Sequence, residues 1–221
     1  MPVAVINKHN VLYIHIPKTG GSSIERYLSM HGSLQLTGSV RIHGLSYCGQ
    51  HLHAKALNSI KAADGHDWIF TIVRHPVARL ISEYRYQMRK PGWLRSRLSF
   101  SSWLTCALAR RAIYPWYRAN HFRPQHEFIL PGTEIMRFED GIDACLQRIA
   151  KKLEIPEPTT SIREKSSSIQ IPIMLTPSIL ARIKQAYAGD YMDFGYSNDV
   201  PALLEAGIKP DMLMDEQHAK R

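Results

Sequence analysis

The string His-Ile-Pro-Lys-Thr-Gly-Gly-Ser-Ser, residues 15–23, gathers a mobile cation, three hydroxyls and two glycines within a few positions. Lys18 supplies the charge, Thr19, Ser22 and Ser23 the hydroxyls. Gly20 and Gly21 allow close approach of the backbone to a ligand. Placed where a strand runs into a helix, such a loop points backbone N–H groups at an anion, and the helix N-terminus adds about half a positive charge. A tetrahedral anionic group suits it. The order is the reverse of a Walker A loop, whose lysine follows its glycines and reaches a β/γ-phosphate pair. No Gly-x4-Gly-Lys-Ser/Thr string and no Gly-x-Gly-x-x-Gly string occurs. A second anion site is expected at Arg74, with Ser82 about two helical turns further on. An arginine offers a donor fork to phosphate oxygens. Two separated sites imply a ligand with two separated anionic groups.

The elements that must position these residues are legible as periodicity. Val11–Ile16 is a short apolar run ended by Pro17, as expected of a buried strand. Ile24, Tyr27 and Leu28 then share one helical face. Trp68–Val73 is a second strand, and Pro76 suits the first turn of a helix along which Val77, Leu80, Ile81, Tyr84 and Met88 repeat. A third strand is expected at Glu134–Phe138, followed by a helix through Ile142, Cys145, Leu146, Ile149 and Leu153. Thr176-Pro177 starts another, with Ile179, Leu180, Ile183 and Tyr187 on its apolar face. Strand-then-helix recurrence predicts an α/β fold, a P-loop-like three-layer arrangement with a central parallel sheet flanked by helices. In it Arg74 stands at the C-terminal end of a strand, where open α/β sheets bind ligands.

With both strings on the page, His-Ile-Pro-Lys-Thr-Gly-Gly-Ser-Ser and Phe-Thr-Ile-Val-Arg-His-Pro-Val-Ala-Arg-Leu-Ile-Ser-Glu-Tyr, the chain resembles sulfotransferases that use 3′-phosphoadenosine 5′-phosphosulfate (PAPS). The similarity is to the carbohydrate type, which includes heparan sulfate 2-O and chondroitin sulfotransferases and has bacterial members. Smaller matches are Arg123-Pro124-Gln125, the run Met136 to Asp140, and Asp190, Phe194, Gly195 and Tyr196. The resemblance implies a sulfotransferase fold and sulfuryl transfer from PAPS to an acceptor hydroxyl or amine, with 3′,5′-ADP as product and no metal. It implies that Lys18, Thr19, Gly20, Gly21, Ser22 and Ser23 hold the 5′-phosphosulfate, and that Arg74 and Ser82 hold the 3′-phosphate. Arg79 becomes a weaker ligand or an ion-pair partner of Glu83. Lys18 would stand beside the bridging oxygen that breaks. A histidine is expected as general base: His51 is preferred, His53 is the second choice, and a structural or metal-binding His-x-His remains the alternative. His15 and His75 flank the two anion loops and are read as supporting residues. Ser22 stands where the family often has threonine, and His75 where asparagine or aspartate is common.

The bulk composition agrees with one domain. The chain has 221 residues, 44% of them hydrophobic, and a net charge of +9. That charge favours anionic partners. No stretch approaches the roughly 20 apolar residues of a membrane span, and no secretory leader is seen, so a cytoplasmic enzyme without a transmembrane anchor is expected. Cys48, Cys106 and Cys145 form neither a disulfide framework nor a zinc cluster. The expected organisation is a sulfotransferase domain over residues 1–197 and a peripheral, partly mobile tail over 198–221. Within the domain, residues 84–126 form a basic, aromatic-rich segment on the acceptor side, with about half of its aromatics in the core. Residues 155–172 form a loop or lid, with Arg163, Lys165, Ser166 and Ser167 closing over the donor's 3′ side. From Tyr84 to His126 no Asp or Glu occurs while arginines recur, which suits an anionic or carbohydrate-like acceptor and leaves room for peripheral membrane contact. Two competing readings are a kinase-like nucleotide transferase and a basic nucleic-acid module. The first lacks a Walker A lysine, the second any recognisable nucleic-acid motif, so no specific nucleic acid is expected.

Overall fold

Two residues set the edge of the sheet. Asn7 and Lys8 adopt φ of 44° and 70°, a left-handed pair that matches the twist of the strands it joins. They turn β1 (Val3–Ile6) back onto β2 (His9–Ile14), with Ile6 opposite His9. The Asn7 side chain also donates to the carbonyls of Leu153 and Glu154 at 3.2 and 3.1 Å. β3 (Ser33–Gln35) pairs antiparallel with β1, and β4 (Ser39–Ile42) with β5 (Leu45–Cys48) in a separate ribbon. β6 (Trp68–Val73) and β7 (Glu134–Arg137) extend the main sheet in the order β3-β1-β2-β6-β7. This computed structural model describes residues 2–36, 39–42, 45–89, 98–158 and 171–213, with the backbone alone for 39–42 and 45–47.

The three expected strands are β2, β6 and β7, and they run parallel, with Ile14 beside Thr71 and Val73 beside Arg137. The sheet as a whole is mixed, a correction to the expected parallel one. A two-residue turn leaves no chain for a crossover, so β1 must run antiparallel.

Helices cover both faces. On one face Val11 and Tyr13 of β2 and Phe70 and Ile72 of β6 pack with α1 (Gly21–His31) and α5 (Ile142–Leu153). On the other, Leu12, Ile14 and Val73 pack with α2 (Ala54–Ser59), Phe128 and Leu130. Strands buried on both faces read as unbroken apolar runs, as these do. A second core joins α3 (Pro76–Met88), α4 (Phe100–Ile113), α6 (Pro177–Ala186), α7 (Ala188–Phe194) and α8 (Val200–Glu205). Thr176 caps α6 by accepting from the Ile179 N–H at 3.3 Å, as its sequence predicts. Of the aromatics in 84–126, Tyr84, Phe100, Trp103 and Phe122 are buried in this core, whereas Tyr114 is exposed.

The segment expected as a peripheral tail belongs to the second core as far as it is described. Leu203, Ala206, Ile208 and Met212 are buried there, and the Leu175 N–H donates to the Met212 carbonyl at 2.7 Å. Small apolar residues spaced across two short turns gave no periodic signal. Residues 214–221, Arg163, Lys165, Ser166 and Ser167 of the expected lid, and Lys90, Trp93, Arg95 and Arg97 lie outside the described residues. Leu203→Ala should lower stability by about 2–4 kcal/mol, the cost of a core cavity. Urea unfolding measures it, and a loss under about 0.5 kcal/mol would restore the peripheral reading.

Candidate active site

Three loops meet at the C-terminal ends of β2, β6 and β7. After β2 the chain turns through Lys18 (φ 71°) and Gly20 (φ 85°) into α1. Gly20 is required twice over: its φ is left-handed, and a Cβ would stand 2.4 Å from Ile142 Cδ1. At Gly21 a Cβ would meet the His15 ring at 2.1 Å. Among the described residues α1 has no side-chain cap, and the Ser23 N–H turns back to the Gly20 carbonyl at 3.0 Å, so the N–H groups of Gly21 and Ser22 are those that an anion would meet. The loop residues divide by role. Lys18, Gly20, Gly21, Ser22 and Ser23 line a cavity of about 1000 Å³. Thr19 is fully buried and donates its hydroxyl to the Ile16 carbonyl at 2.9 Å, so its side chain fixes the turn.

Arg74 follows β6 directly. Its N–H donates to Gln125 Oε1 at 2.9 Å and its carbonyl accepts from Gln125 Nε2 at 2.7 Å, as if the amide were one more strand. Gln125 Nε2 also donates to Asp190 Oδ2 at 3.2 Å, and both residues are fully buried. The Arg74 guanidinium lies 4.0 Å over the Phe138 ring and donates from Nη1 to the Lys18 carbonyl at 3.3 Å. Burial lowers its pKa to about 10, against the pull of Glu139. Its Nε is buried with no partner among the described residues, and the same holds for Arg85 Nε. Ala78, Ser82, Arg85 and Arg89, on α3 and at its end, run along the cavity as one stripe. Among the described residues that line the cavity, Asp143 is the one carboxylate, against Lys18, Arg74, Arg85 and Arg89.

Arg79 is not part of this wall. It is almost fully buried and donates from Nη1 and Nη2 to the carbonyls of His121 and Arg123, at 3.3 and 2.7 Å. Glu83, expected as its ion-pair partner, meets His121 and Gln87 instead. The arginine thus shapes the site from behind.

The two candidate bases separate cleanly. His51 lines the cavity, and its Nδ1 bonds the His15 carbonyl at 3.0 Å. A carbonyl only accepts, so Nδ1 carries the proton and Nε2 is the basic nitrogen. Burial, then the nearby His15 and His121, holds its pKa well below the ordinary value. His53 instead caps α2, its Nδ1 accepting from the Ala56 N–H at 3.2 Å, and its ring packs 4.6 Å from Trp116. His53 stands away from the cavity, which removes the second choice on geometric grounds. His15 shares the cavity wall; its Nδ1 pairs with Glu25 Oε1 at 2.6 Å, and Glu25 also accepts from Gln50 at 2.7 Å. His75 caps α3 by accepting from the Val77 N–H and bonds the Ser197 carbonyl at 2.8 Å, the supporting role expected of it.

Sequence reasoning missed His121. It lines the cavity between His51 and Tyr86, with ring centroids 5.2 and 6.4 Å away. Nothing local marks it, because its partner Glu83 is 38 residues distant. Among the described residues no three His, Cys, Asp or Glu side chains form a metal-holding group, and no helix is long and apolar enough to cross a membrane.

A glycine-bearing loop and a strand-end arginine thus face one cationic cavity at the strand ends of an α/β sheet. The chain belongs to the Sulfotransferase family, whose model matches residues 2–197, and it is a sulfotransferase. No curated protein and no solved structure matches it.

The Asp190 anchor behind Arg74 has a pH signature. Asp190 Oδ1 accepts from both the N–H and Nδ1 of His126, at 3.0 and 2.9 Å. The side-chain bond to Asp190 raises the pKa of His126, with burial opposing. The folded value therefore lies above the unfolded one of about 6.5, so the pair stabilises fully below that pH and loses its contribution as pH rises through the raised value. In urea unfolding, His126→Gln should cost most at pH 5.5–6, and the gap to wild type should shrink by pH 9. A gap unchanged with pH would refute the linkage.

Proposed function

We propose that this sulfotransferase takes its sulfuryl group from PAPS and passes it to a hydroxyl of an anionic, carbohydrate-like acceptor, releasing 3′,5′-ADP. The observation that carries this is the pairing of two cationic sites at adjacent parallel strand ends, joined by the Arg74–Lys18 bond. A cavity near the upper end of the 300–1000 Å³ range common for small-molecule sites has room for a nucleotide and part of an acceptor. The residues fit the donor. The uncapped start of α1 with Lys18, Ser22 and Ser23 suits the 5′-phosphosulfate. Arg74 and Ser82 suit the 3′-phosphate, and the buried Arg74 Nε, without a partner among the described residues, is the kind of donor that an anion satisfies.

The donor supplies an activated sulfur with a phosphate leaving group. The protein supplies position and charge. Lys18, whose Nζ lies 4.2 Å from the Tyr86 ring centroid, is the cation for the charge that grows on the leaving oxygen. His51 presents Nε2 to the same cavity. The arginine stripe of α3 continues past the donor site and suits acidic groups on the acceptor.

Calorimetry with 3′,5′-ADP tests the reading. Arg74→Ala should weaken binding roughly 10- to 100-fold, the loss of one charge-assisted contact set. It should weaken adenosine 5′-phosphosulfate, which lacks the 3′-phosphate, much less. Lys18→Ala should leave 3′,5′-ADP binding within several-fold and cut transfer from labelled PAPS by about 10²–10³. Tighter binding of ATP with Mg²⁺ than of 3′,5′-ADP would overturn the proposal.

A further inference from the structure

The stretch before His121 is costly to build. Arg118, Ala119 and Asn120 have φ of 51°, 51° and 67°, three successive left-handed residues with no glycine among them. Each such residue costs about 1–2 kcal/mol for an L-amino acid, somewhat less for asparagine. The turn is held from several sides. Asn120 Nδ2 donates to the His51 carbonyl at 2.8 Å, Arg79 grips the carbonyls of His121 and Arg123, and Tyr187 Oη donates to the Phe122 carbonyl at 3.0 Å. Backbone strain held in place this way concentrates at functional sites.

What the turn presents is a histidine–carboxylate dyad. His121 Nδ1 bonds Glu83 Oε2 at 2.8 Å, which leaves Nε2 as the basic nitrogen. Glu83 is buried, and its other oxygen accepts from Gln87 Nε2 at 2.5 Å. Gln87 in turn accepts from Trp103 Nε1 at 3.1 Å. Burial pushes the Glu83 pKa up, but His121, Gln87 and the charge of Lys18 outweigh it, so the group stays ionised. Among the described residues, the titratable and charged groups near His121 are Glu83, His51, His15 and Tyr86, with Lys18 over the Tyr86 ring and Arg79 on the His121 carbonyl. Of the three cavity histidines among the described residues, His51 bonds a neutral carbonyl through Nδ1, whereas His15 and His121 each bond a carboxylate. The Nε2 of His15 is packed against Gly21, where a Cβ would meet it at 2.1 Å, so His121 is the carboxylate-paired histidine whose Nε2 is not closed off by the donor loop.

We propose that His121 is the catalytic base of the transfer and that Glu83 is its positioning carboxylate, an inference that rests on the PAPS reading above. The acceptor oxygen forms the new O–S bond while the S–O bond to the donor phosphate breaks. The electron pair of the broken bond stays on the phosphate oxygen of 3′,5′-ADP. The acceptor proton moves to His121 Nε2, and the imidazolium is held against Glu83.

The test needs no known acceptor. Sulfate release from ³⁵S-labelled PAPS, with water as acceptor, is followed from pH 5.5 to 9 in wild type, His121→Asn, Glu83→Gln and His51→Asn, and 3′,5′-ADP affinity is measured for each. The expected result is wild-type release above the enzyme-free rate. His121→Asn should lower it about 100-fold or more, abolish the acid limb of the rate profile and keep 3′,5′-ADP affinity within about threefold. Glu83→Gln should lower kcat for release about 10-fold or more with the KM for PAPS within about threefold, a split that loss of packing alone does not produce, and His51→Asn should keep the acid limb. An unaffected rate or a retained acid limb in His121→Asn would overturn the proposal. So would a wild type that binds 3′,5′-ADP yet releases no sulfate, since a base aligned with the sulfuryl group activates water there. A wild type that fails to bind 3′,5′-ADP is a separate outcome: it overturns the donor reading and this proposal with it.

Discussion

Arg74 carries a positive charge to the C-terminal end of β6, where burial lowers its pKa to about 10. Such a group is stable only where its surroundings are fixed. Phe138 supplies a flat face, the Lys18 carbonyl accepts one N–H, and Gln125 pins the backbone on both sides. Gln125 is in turn held by Asp190, a buried carboxylate satisfied by the His126 backbone and ring. The loop after β2, the loop after β7, the 123–128 segment and α7 are all tied to this one residue, the first two through its guanidinium and the others through its backbone. Its Nε is left buried without a partner among the described residues, a cost of about 1–3 kcal/mol carried by the fold. On the proposed reading, the 3′-phosphate of the donor offsets that cost.

The two cores divide the labour. The sheet and the helices on its faces fix the strand ends to within contact distance, which is why Gly20 tolerates no Cβ against Ile142. The second core holds α3, whose buried side carries Leu80, Tyr84 and Gln87 and whose other side carries the cavity stripe. Ala206, Ile208 and Met212 belong to that second core and also line the cavity, so the end of the described chain both stabilises and shapes the site.

Much of this was legible in the sequence because the signals were local. β2, β6 and β7 are apolar runs buried on both faces. α3 and α6 announce themselves by capping residues and Pro at the first turn. The anion loops follow from strand ends alone. The failures were of reach. β1 is four residues long with one exposed, too short to show alternation. His51 and His53 sit two positions apart, and only the 3₁₀ turn that ends at His51 sends them to different places. Glu83 is four residues from Arg79, the spacing of a helical ion pair, yet Arg79 is drawn to backbone carbonyls and Glu83 to His121. A left-handed turn without glycine has no sequence mark, so the residue it presents was hidden.

Why the lysine precedes its glycines follows from the same geometry. At the strand end, Lys18 adopts a left-handed backbone and its side chain crosses the cavity to the face of Tyr86. Tyr86 stacks in turn against His121. Arg85, one residue earlier and about 100° around the helix, faces Met212 instead. α3 therefore splits the cavity into a side with Lys18, Tyr86 and the histidines, and a side with Arg85 and residues 206–212. On the proposed reading the bond that breaks lies on the first side, between a cation for the leaving oxygen and a base for the entering one, as in-line displacement requires. A lysine placed after the glycines would ride on α1 and point along the donor's phosphates. Placed before them, it reaches the far wall, where the acceptor must enter.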